Sequence, residues 1–134
     1  MRSLVDRGTA LVFLGLSALV VSCGALSESG AKTAQEFVEK YSEAYRTGNV
    51  SAIVKMTVME KGQSEEQFRE EVETDVDSKG FGYVAWAHTS YVSEEDHGSY
   101  IHVEVEVQSA RSSIVLVRQD DLLKIVQDPS KYAP

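Results

Sequence analysis

Between residues 33 and 48, apolar residues recur at the spacing of an α-helix. Their positions place them on one face of the predicted helix: Ala34, Phe37, Val38, Tyr41, Ala44 and Tyr45. Thr33 and Glu36 form a capping-box pair at its start, and Gly48 can adopt the left-handed conformation that ends a helix. Asn49 can then cap a second, short helix. The apolar residues of that helix are Val50, Ile53 and Val54.

A third helix is predicted to begin at a capping-box pair, Ser64 and Gln67, and to end at Gly80. Its narrow apolar stripe consists of Phe68, Val72 and Val76. The segment is also rich in carboxylates: Glu65, Glu66, Glu70, Glu71, Glu73, Asp75 and Asp77. Exposure to solvent explains these acids, and the segment lacks the Asp/Asn/Gly loop of a calcium site, so no metal site is predicted.

After Gly80 the apolar pattern changes from helical to alternating, and turn-forming residues separate the alternating segments. The predicted strands span residues 82–92, 100–107, 113–118 and 122–126. The apolar face of the second strand is predicted to face the core: Ile101, Val103, Val105 and Val107. Its polar face is predicted to face water or a partner: Tyr100, His102, Glu104 and Glu106.

Helices followed by four strands with short turns predict an α+β domain, in which the helices pack on one face of an antiparallel four-stranded meander. With 134 residues the chain has room for one domain. Its hydrophobic fraction of 43% and charged fraction of 25% are typical of a folded globular protein. The formal charge of −8 disfavours binding to nucleic acid, because phosphate backbones are bound by basic patches.

The N-terminal 22 residues have the layout of an export signal. A short start containing Arg2 and Arg7 precedes residues 8–22, which carry no charge. That run is shorter than the roughly twenty residues with which a helix spans a bilayer, so a cleaved signal is favoured over a permanent span. The run ends at Cys23, the single cysteine of the chain, which excludes an intramolecular disulfide.

The residues Val20, Val21, Ser22 and Cys23 resemble the lipobox of bacterial lipoproteins. The resemblance implies that Cys23 is lipidated and becomes the first residue of the mature protein. Acyl chains on that cysteine would anchor the protein, since each buried CH₂ group contributes about 0.8 kcal/mol of membrane affinity. Gly24, in place of an aspartate, resembles the outer-membrane sorting signal of Gram-negative lipoproteins, with the domain facing the periplasm. The predicted organisation is a signal peptide over residues 1–22, a flexible tether over 23–30, a domain over 31–128 and a C-terminal tail over 129–134.

Residues 31–56 resemble the start of a nuclear transport factor 2-like domain. In this stretch an amphipathic helix with Phe37 and Tyr41 runs into Gly48, Asn49 and a second short helix. The chain is most similar to bacterial lipoproteins that carry such a domain of unknown function. The resemblance implies a curved sheet wrapped around helices, forming a cone whose mouth can hold a ligand.

Trp86, His88 and Tyr91, on the first predicted strand, are the candidate pocket or ligand-binding residues. Some members of the fold are isomerases or dehydratases that use a buried Asp or His as a base, so His88 is the candidate for that chemistry. No aspartate lies at an interior-looking strand position to serve as its partner. A nucleophile elbow, a glycine-rich phosphate loop and a Cys/His metal set are also missing from the sequence. The sequence therefore predicts no catalytic residue, no metal and no cofactor.

These observations favour a lipid-anchored cell-envelope protein whose non-catalytic domain binds a small apolar ligand or an envelope protein. An isomerase or dehydratase that uses His88 is the first alternative. A structural role is the second, with homodimerisation through the sheet face that carries Tyr100, His102 and Glu104. The expected partners are thus the membrane, through the N-terminal lipid, and a ligand or protein, but not nucleic acid.

Overall fold

A computed structural model of the chain describes residues 30–132. The helices are α1 (Ala34–Thr47), α2 (Val50–Lys55), α3 (Glu65–Ser78) and α4 (Phe81–Ala87). The strands are β1 (Thr89–Asp96), β2 (Ile101–Val107), β3 (Ala110–Gln119) and β4 (Leu122–Ile125), and a 3₁₀ helix follows at Pro129–Tyr132. Helices followed by a four-stranded antiparallel sheet confirm the predicted α+β class. No helix in this part of the chain is long and apolar enough to cross a membrane.

The N-cap residues predicted for the first three helices are present, and the capping box at Ser64 and Gln67 is complete. The box predicted at Thr33 is not, because the Glu36 carboxylate accepts the N–H of Lys32. The side chains of Thr33, Asn49 and Ser64 each accept a hydrogen bond from a backbone N–H of the helix that follows them. Gly48, with φ of 72°, ends α1 in the left-handed conformation. The left-handed residue that ends α3 is Lys79, with φ of 51°, one position before the predicted glycine.

The prediction of a strand from residue 82 is wrong, because residues 81–87 form α4. Tyr83, Trp86 and Ala87 are three and four positions apart, and in a helix they share the face that packs on the core. The first strand therefore begins at Thr89. It continues to Asp96, four residues beyond the end predicted for this strand.

The sheet is the predicted meander, with strand order β1-β2-β3-β4 and antiparallel pairing throughout. Two-residue turns join β2 to β3 at Gln108 and Ser109, and β3 to β4 at Asp120 and Asp121. All four turn residues have positive φ. Such turns match the right-handed twist of the strands that they connect, and so they hold neighbouring strands in register.

The core lies between the helices and one face of the sheet. Ile101, Val103 and Val105 of β2 are buried there as predicted, together with Leu116 of β3 and Leu123 of β4. The helical side chains that are completely buried against them include Phe37, Val38 and Ile53. Complete burial of a side chain of this size contributes about 2 kcal/mol to folding.

The outer face of the sheet is covered in part by the C-terminal segment. Residues 129–132, predicted as a tail, form the 3₁₀ helix and contact β3. Tyr132 packs against Tyr100, and on the same face Val115 is only 1% exposed. This end of the polar sheet face is therefore not free for a partner.

At its β4 edge the sheet forms hydrogen bonds with two backbone segments from the N-terminal half of the domain. Leu123 donates its N–H to the carbonyl of Ala31 at 2.8 Å, and Ile125 donates to Met56 at 2.8 Å. The chain thus enters the domain at Gly30, beside β4.

Candidate functional site

The predicted site residues do not form one site in the described part of the chain, and Cys23 lies outside the described residues. Trp86 is half-buried on the inner side of α4, whereas His88 is exposed at its C-terminal end. Tyr91 is half-buried on β1 and donates its hydroxyl hydrogen bond to Glu94 at 2.9 Å. None of these three lines a cleft described below. His88 does not have the enclosed surroundings that the isomerase hypothesis requires.

Trp86 belongs to an aromatic cluster that attaches α4 to α1. Its ring centroid lies 4.6 Å from that of Tyr41, in edge geometry, and 6.4 Å from that of Tyr45. Phe37 stacks on Tyr41 at 5.1 Å, and the Tyr41 hydroxyl is hydrogen-bonded to Thr57 at 2.8 Å. Because such aromatic pairs contribute about 1 kcal/mol beyond their burial, Trp86 is a packing residue that sets the position of α4.

The two tyrosines of this cluster are held in the neutral form. Burial, together with the negative charge of Asp75, raises the pKa of Tyr45 to about 12. Burial raises the pKa of Tyr41 as well, and by more than it raises that of Tyr45. A general base needs a pKa near the working pH, so neither phenol is suited to that role.

The opposite side of α4 presents apolar side chains to solvent. Phe81 is 90% exposed and Val84 is 41% exposed. We call these two residues the α4 outer face. Sequence reasoning missed this surface because it treated the segment as a strand. The available signal was the spacing of Phe81, Val84 and His88, three and four positions apart, which places them together on a helix.

Asp75 on α3 holds the start of α4. Its carboxylate accepts the N–H of Gly82 at 3.3 Å, and its backbone carbonyl accepts the N–H of Gly80 at 2.8 Å. A Cβ atom at either glycine would collide with the Asp75 carboxylate. Asp75 therefore caps α4 from the preceding helix, and the two glycines let it approach. Phe81 lies between these two glycines at the start of α4.

The solvent side of α3 carries four exposed carboxylates at spacings of four, three and four residues. They are Glu66, Glu70, Glu73 and Asp77, and we call them the acidic stripe. The stripe lies opposite the buried side of the helix, which contains Phe68 and Val72. Among residues 30–132, none of the four stripe carboxylates has a basic nitrogen within 4.0 Å.

A cleft of about 580 Å³ lies beside Gly30 at the β4 edge. Its walls combine apolar groups such as Met59 and Leu122 with charged groups such as Lys55 and Lys124. The cleft is open to solvent, so it does not enclose an apolar ligand.

The polar face of the sheet contains a second open cleft, of about 440 Å³, which His102 lines. Arg111 bridges it by donating to Glu104 at 3.0 Å. At one end of the face Tyr100 lies between His97 and Tyr132. Among residues 30–132, no group of three or more His, Cys, Asp and Glu side chains is arranged to hold a metal ion.

No protein-family model matches the chain, and no curated protein and no solved structure matches it. Any function assigned to the domain therefore depends on its own geometry and on the N-terminal sequence.

Proposed function

We propose that this protein is a lipid-anchored component of the cell envelope, and that its non-catalytic domain binds another envelope protein through the α4 outer face. The observation that carries the proposal is the exposure of Phe81, which is 90% exposed to solvent. Burial of a phenylalanine contributes about 2 kcal/mol, and that stabilisation is not gained here. Adjacent exposed apolar side chains on a helix fixed by its neighbours are typical of a contact surface.

The anchor rests on the lipobox-like sequence that ends at Cys23. Gly30, where the described domain begins, is seven positions after Cys23. A chain of that length reaches at most about 25 Å, so a lipid on Cys23 keeps the domain close to the bilayer surface. The domain would face the periplasm if the membrane is the outer membrane of a Gram-negative cell.

The fold that we propose for the domain is the nuclear transport factor 2-like cone. The order of the elements supports it, since helices precede a four-stranded meander and cover one of its faces. The aromatic cluster around Trp86 packs α4 onto α1, and the clefts at Gly30 and at His102 are open. These features favour a protein partner over an enclosed apolar ligand, and the exposure of His88 argues against a base in a closed pocket.

Site-specific photocrosslinking in cells tests the proposal. A photoreactive benzoylphenylalanine in place of Phe81, in the full chain, should give one adduct of defined size. The same group in place of Ser113, which is exposed on the opposite side of the sheet, should not give that adduct. The substitution Val84→Ser should then be added to the chain that carries the photoreactive group at position 81. It should lower the yield of the crosslinked adduct at least fivefold, because it removes the neighbouring apolar contact.

The absence of an adduct at position 81 would overturn the proposal, as would the same adducts at both positions. An unchanged yield with Val84→Ser would also count against it. In that case the captured protein would be a neighbour rather than a partner of the α4 outer face.

A further inference from the structure

A smaller cleft, of about 280 Å³, adjoins the cleft beside Gly30. Val58 and Gln119 line both clefts. Lys124 of β4, in the larger cleft, is the cross-strand partner of Val117 of β3, in the smaller one. Paired residues of an antiparallel sheet lie on the same face, so the two clefts form one surface, which we call the entry side.

Four lysines line the entry side. They are Lys55 and Lys124 in the larger cleft, and Lys61 and Lys131 in the smaller one. Among residues 30–132, none of their ammonium groups has a carboxylate oxygen within 4.0 Å. Their positive charges are therefore available to an anion outside the domain.

The entry side is less acidic than the protein as a whole. Among residues 30–132, five Lys and Arg residues and four Asp and Glu residues line it, whereas the whole chain has 13 and 21 of these. The acids are Glu60, Glu65, Asp120 and Asp128. Glu65 already pairs with Arg69 at 3.7 Å, and Asp128 accepts the hydroxyl of Ser130 at 2.6 Å. An anionic surface thus attracts this side of the domain and repels the remainder.

The chain enters the domain on the same side. Gly30 lines the larger cleft, and its carbonyl accepts a hydrogen bond from the ammonium group of Lys40 at 2.7 Å. A Cβ atom at Gly30 would collide with the side chain of Leu122, so the backbone here lies directly on β4. Cys23 is seven positions earlier, a distance of at most about 25 Å. A lipid on Cys23 would therefore hold the entry side nearest to the bilayer.

We infer that the entry side lies on the bilayer, and that its four lysines bind the phosphate groups of anionic phospholipids. The inference rests on the proposed lipid anchor and adds the orientation of the domain. Two independent observations, the unpaired lysines and the point of chain entry, select the same side. The α4 outer face is attached near the other end of α1, through Tyr45 and Arg46, and stays available to its protein partner.

The shape of the entry side favours a lipid surface over other anions. Both clefts are open, and the lysines are distributed over the two, so no closed site surrounds a single phosphate. Nucleic acid would be repelled by the formal charge of −8. At a bilayer each lysine adds to the attraction separately, and the tether supplies a high effective concentration of lipid.

Labelling of amines on the natural chain tests the inference. The protein is extracted from membranes in detergent and added to preformed vesicles, and flotation shows that it is bound to them. One set of vesicles is phosphatidylcholine, and the other contains about one third phosphatidylglycerol. A low dose of the membrane-impermeant reagent sulfosuccinimidyl acetate is added, and mass spectrometry gives the acetylation rate of each lysine.

The four lysines should be acetylated about threefold more slowly on the anionic vesicles than on phosphatidylcholine. Lys79, exposed at the C-terminal end of α3, is the internal control and should react equally on both. Salt at about 1 M should remove the difference, because it screens the attraction between ammonium and phosphate groups.

Paired variants locate the contact. Lys61→Gln/Lys131→Gln should remove most of the protection of Lys55 and Lys124, because it halves the number of lysines that face the bilayer. Lys79→Gln/Arg111→Gln makes the same change in net charge at exposed positions elsewhere and should leave that protection unchanged.

Equal acetylation of the four lysines on the two kinds of vesicle would overturn the inference, while flotation of the chain would leave the anchor standing. Equal protection of Lys79 would overturn it too, since the contact would not be specific to the entry side. Slow acetylation of the same lysines in detergent, before vesicles are added, would indicate a bound protein in place of lipid. A chain that does not float would overturn both the anchor and the inference, whereas the crosslink at position 81 tests the α4 outer face separately.

Discussion

Asp75 connects α3 both to the start of α4 and to the aromatic cluster. Its carboxylate accepts the N–H of Gly82 and lies against Gly80, so it sets the start of α4. Its charge also acts on Tyr45, whose phenol is buried in the aromatic cluster. From the sequence, Asp75 was one of seven similar acids on α3, because a helical pattern does not reveal which carboxylate meets the next helix.

The raised pKa of Tyr45 predicts a loss of stability in alkali. An unfolded tyrosine ionises near pH 10, whereas burial and Asp75 raise the pKa of Tyr45 to about 12 in the folded protein. Between these values the unfolded chain releases a proton that the folded chain retains. Below pH 10 the tyrosine is neutral in both states, so it should not make the free energy of unfolding depend on pH. The free energy of unfolding should then fall as the pH rises from 10 to 12. Tyr41, whose pKa is raised further, adds to the same fall.

Urea unfolding between pH 8 and pH 12 checks this prediction. Above pH 10, we expect the free energy of unfolding of Tyr45→Phe to fall by about 1 kcal/mol less per pH unit than that of the unsubstituted protein. Tyr132→Phe, in the C-terminal 3₁₀ helix, is the matched control and should follow the unsubstituted protein. Parallel curves for Tyr45→Phe and the unsubstituted protein would contradict the role assigned to Tyr45.

Among the elements, α4 is the one that the sequence pattern misassigned. The stretch 82–92 is rich in aromatic and β-branched residues, which favour a strand, and its apolar positions fit either periodicity. Tertiary contacts decide between the two. The helix lets Trp86 and Ala87 pack on α1, and Asp75 satisfies the N–H of Gly82 that a helix start leaves free.

The contact between α3 and α4 predicts an unusual response to a glycine substitution. Gly→Ala within a helix normally stabilises by about 1 kcal/mol. At Gly82 the new Cβ would occupy the place of the Asp75 carboxylate and break its hydrogen bond. We expect Gly82→Ala to destabilise the protein by about 1 kcal/mol, as measured by urea unfolding.

In a chain that already carries Asp75→Ala, the same substitution should be neutral or stabilising, because the collision is gone. A double-mutant cycle gives the coupling between the two positions directly. Equal effects of Gly82→Ala in both backgrounds would show that Asp75 does not hold the start of α4.

At the scale of the whole molecule, the proposed anchor and the proposed docking surface lie at different ends of α1. Gly30 is held by Lys40, whose ammonium group donates to its carbonyl at 2.7 Å. Arg46, near the other end of α1, donates to the carbonyl of Ala87 at 3.1 Å, where α4 ends. A lipid on Cys23 would thus hold one end of the domain near the bilayer and leave the α4 outer face accessible from the aqueous side.

The anchor itself is tested by the mass of the protein extracted from membranes. The natural chain should begin at Cys23 and carry the added mass of a diacylglycerol and acyl chains. Cys23→Ala should carry no lipid, because the thiol that forms the thioether is missing, and should retain residues 1–22. Ser29→Ala, a small-residue change outside the lipobox-like motif, should be processed and lipidated normally. A mature natural chain without lipid would refute the anchor.

The amino-acid sequence by itself determined the features of this protein that depend on local spacing. The caps at Thr33, Asn49 and Ser64, the meander and the buried face of β2 follow from residues only a few positions apart, and so each could be predicted. Only the tertiary structure decided the conformation of residues 81–87, because packing on α1 and the cap from Asp75 outweigh a local preference for a strand. That decision turns Phe81 outward, and it creates the surface on which the proposed function rests.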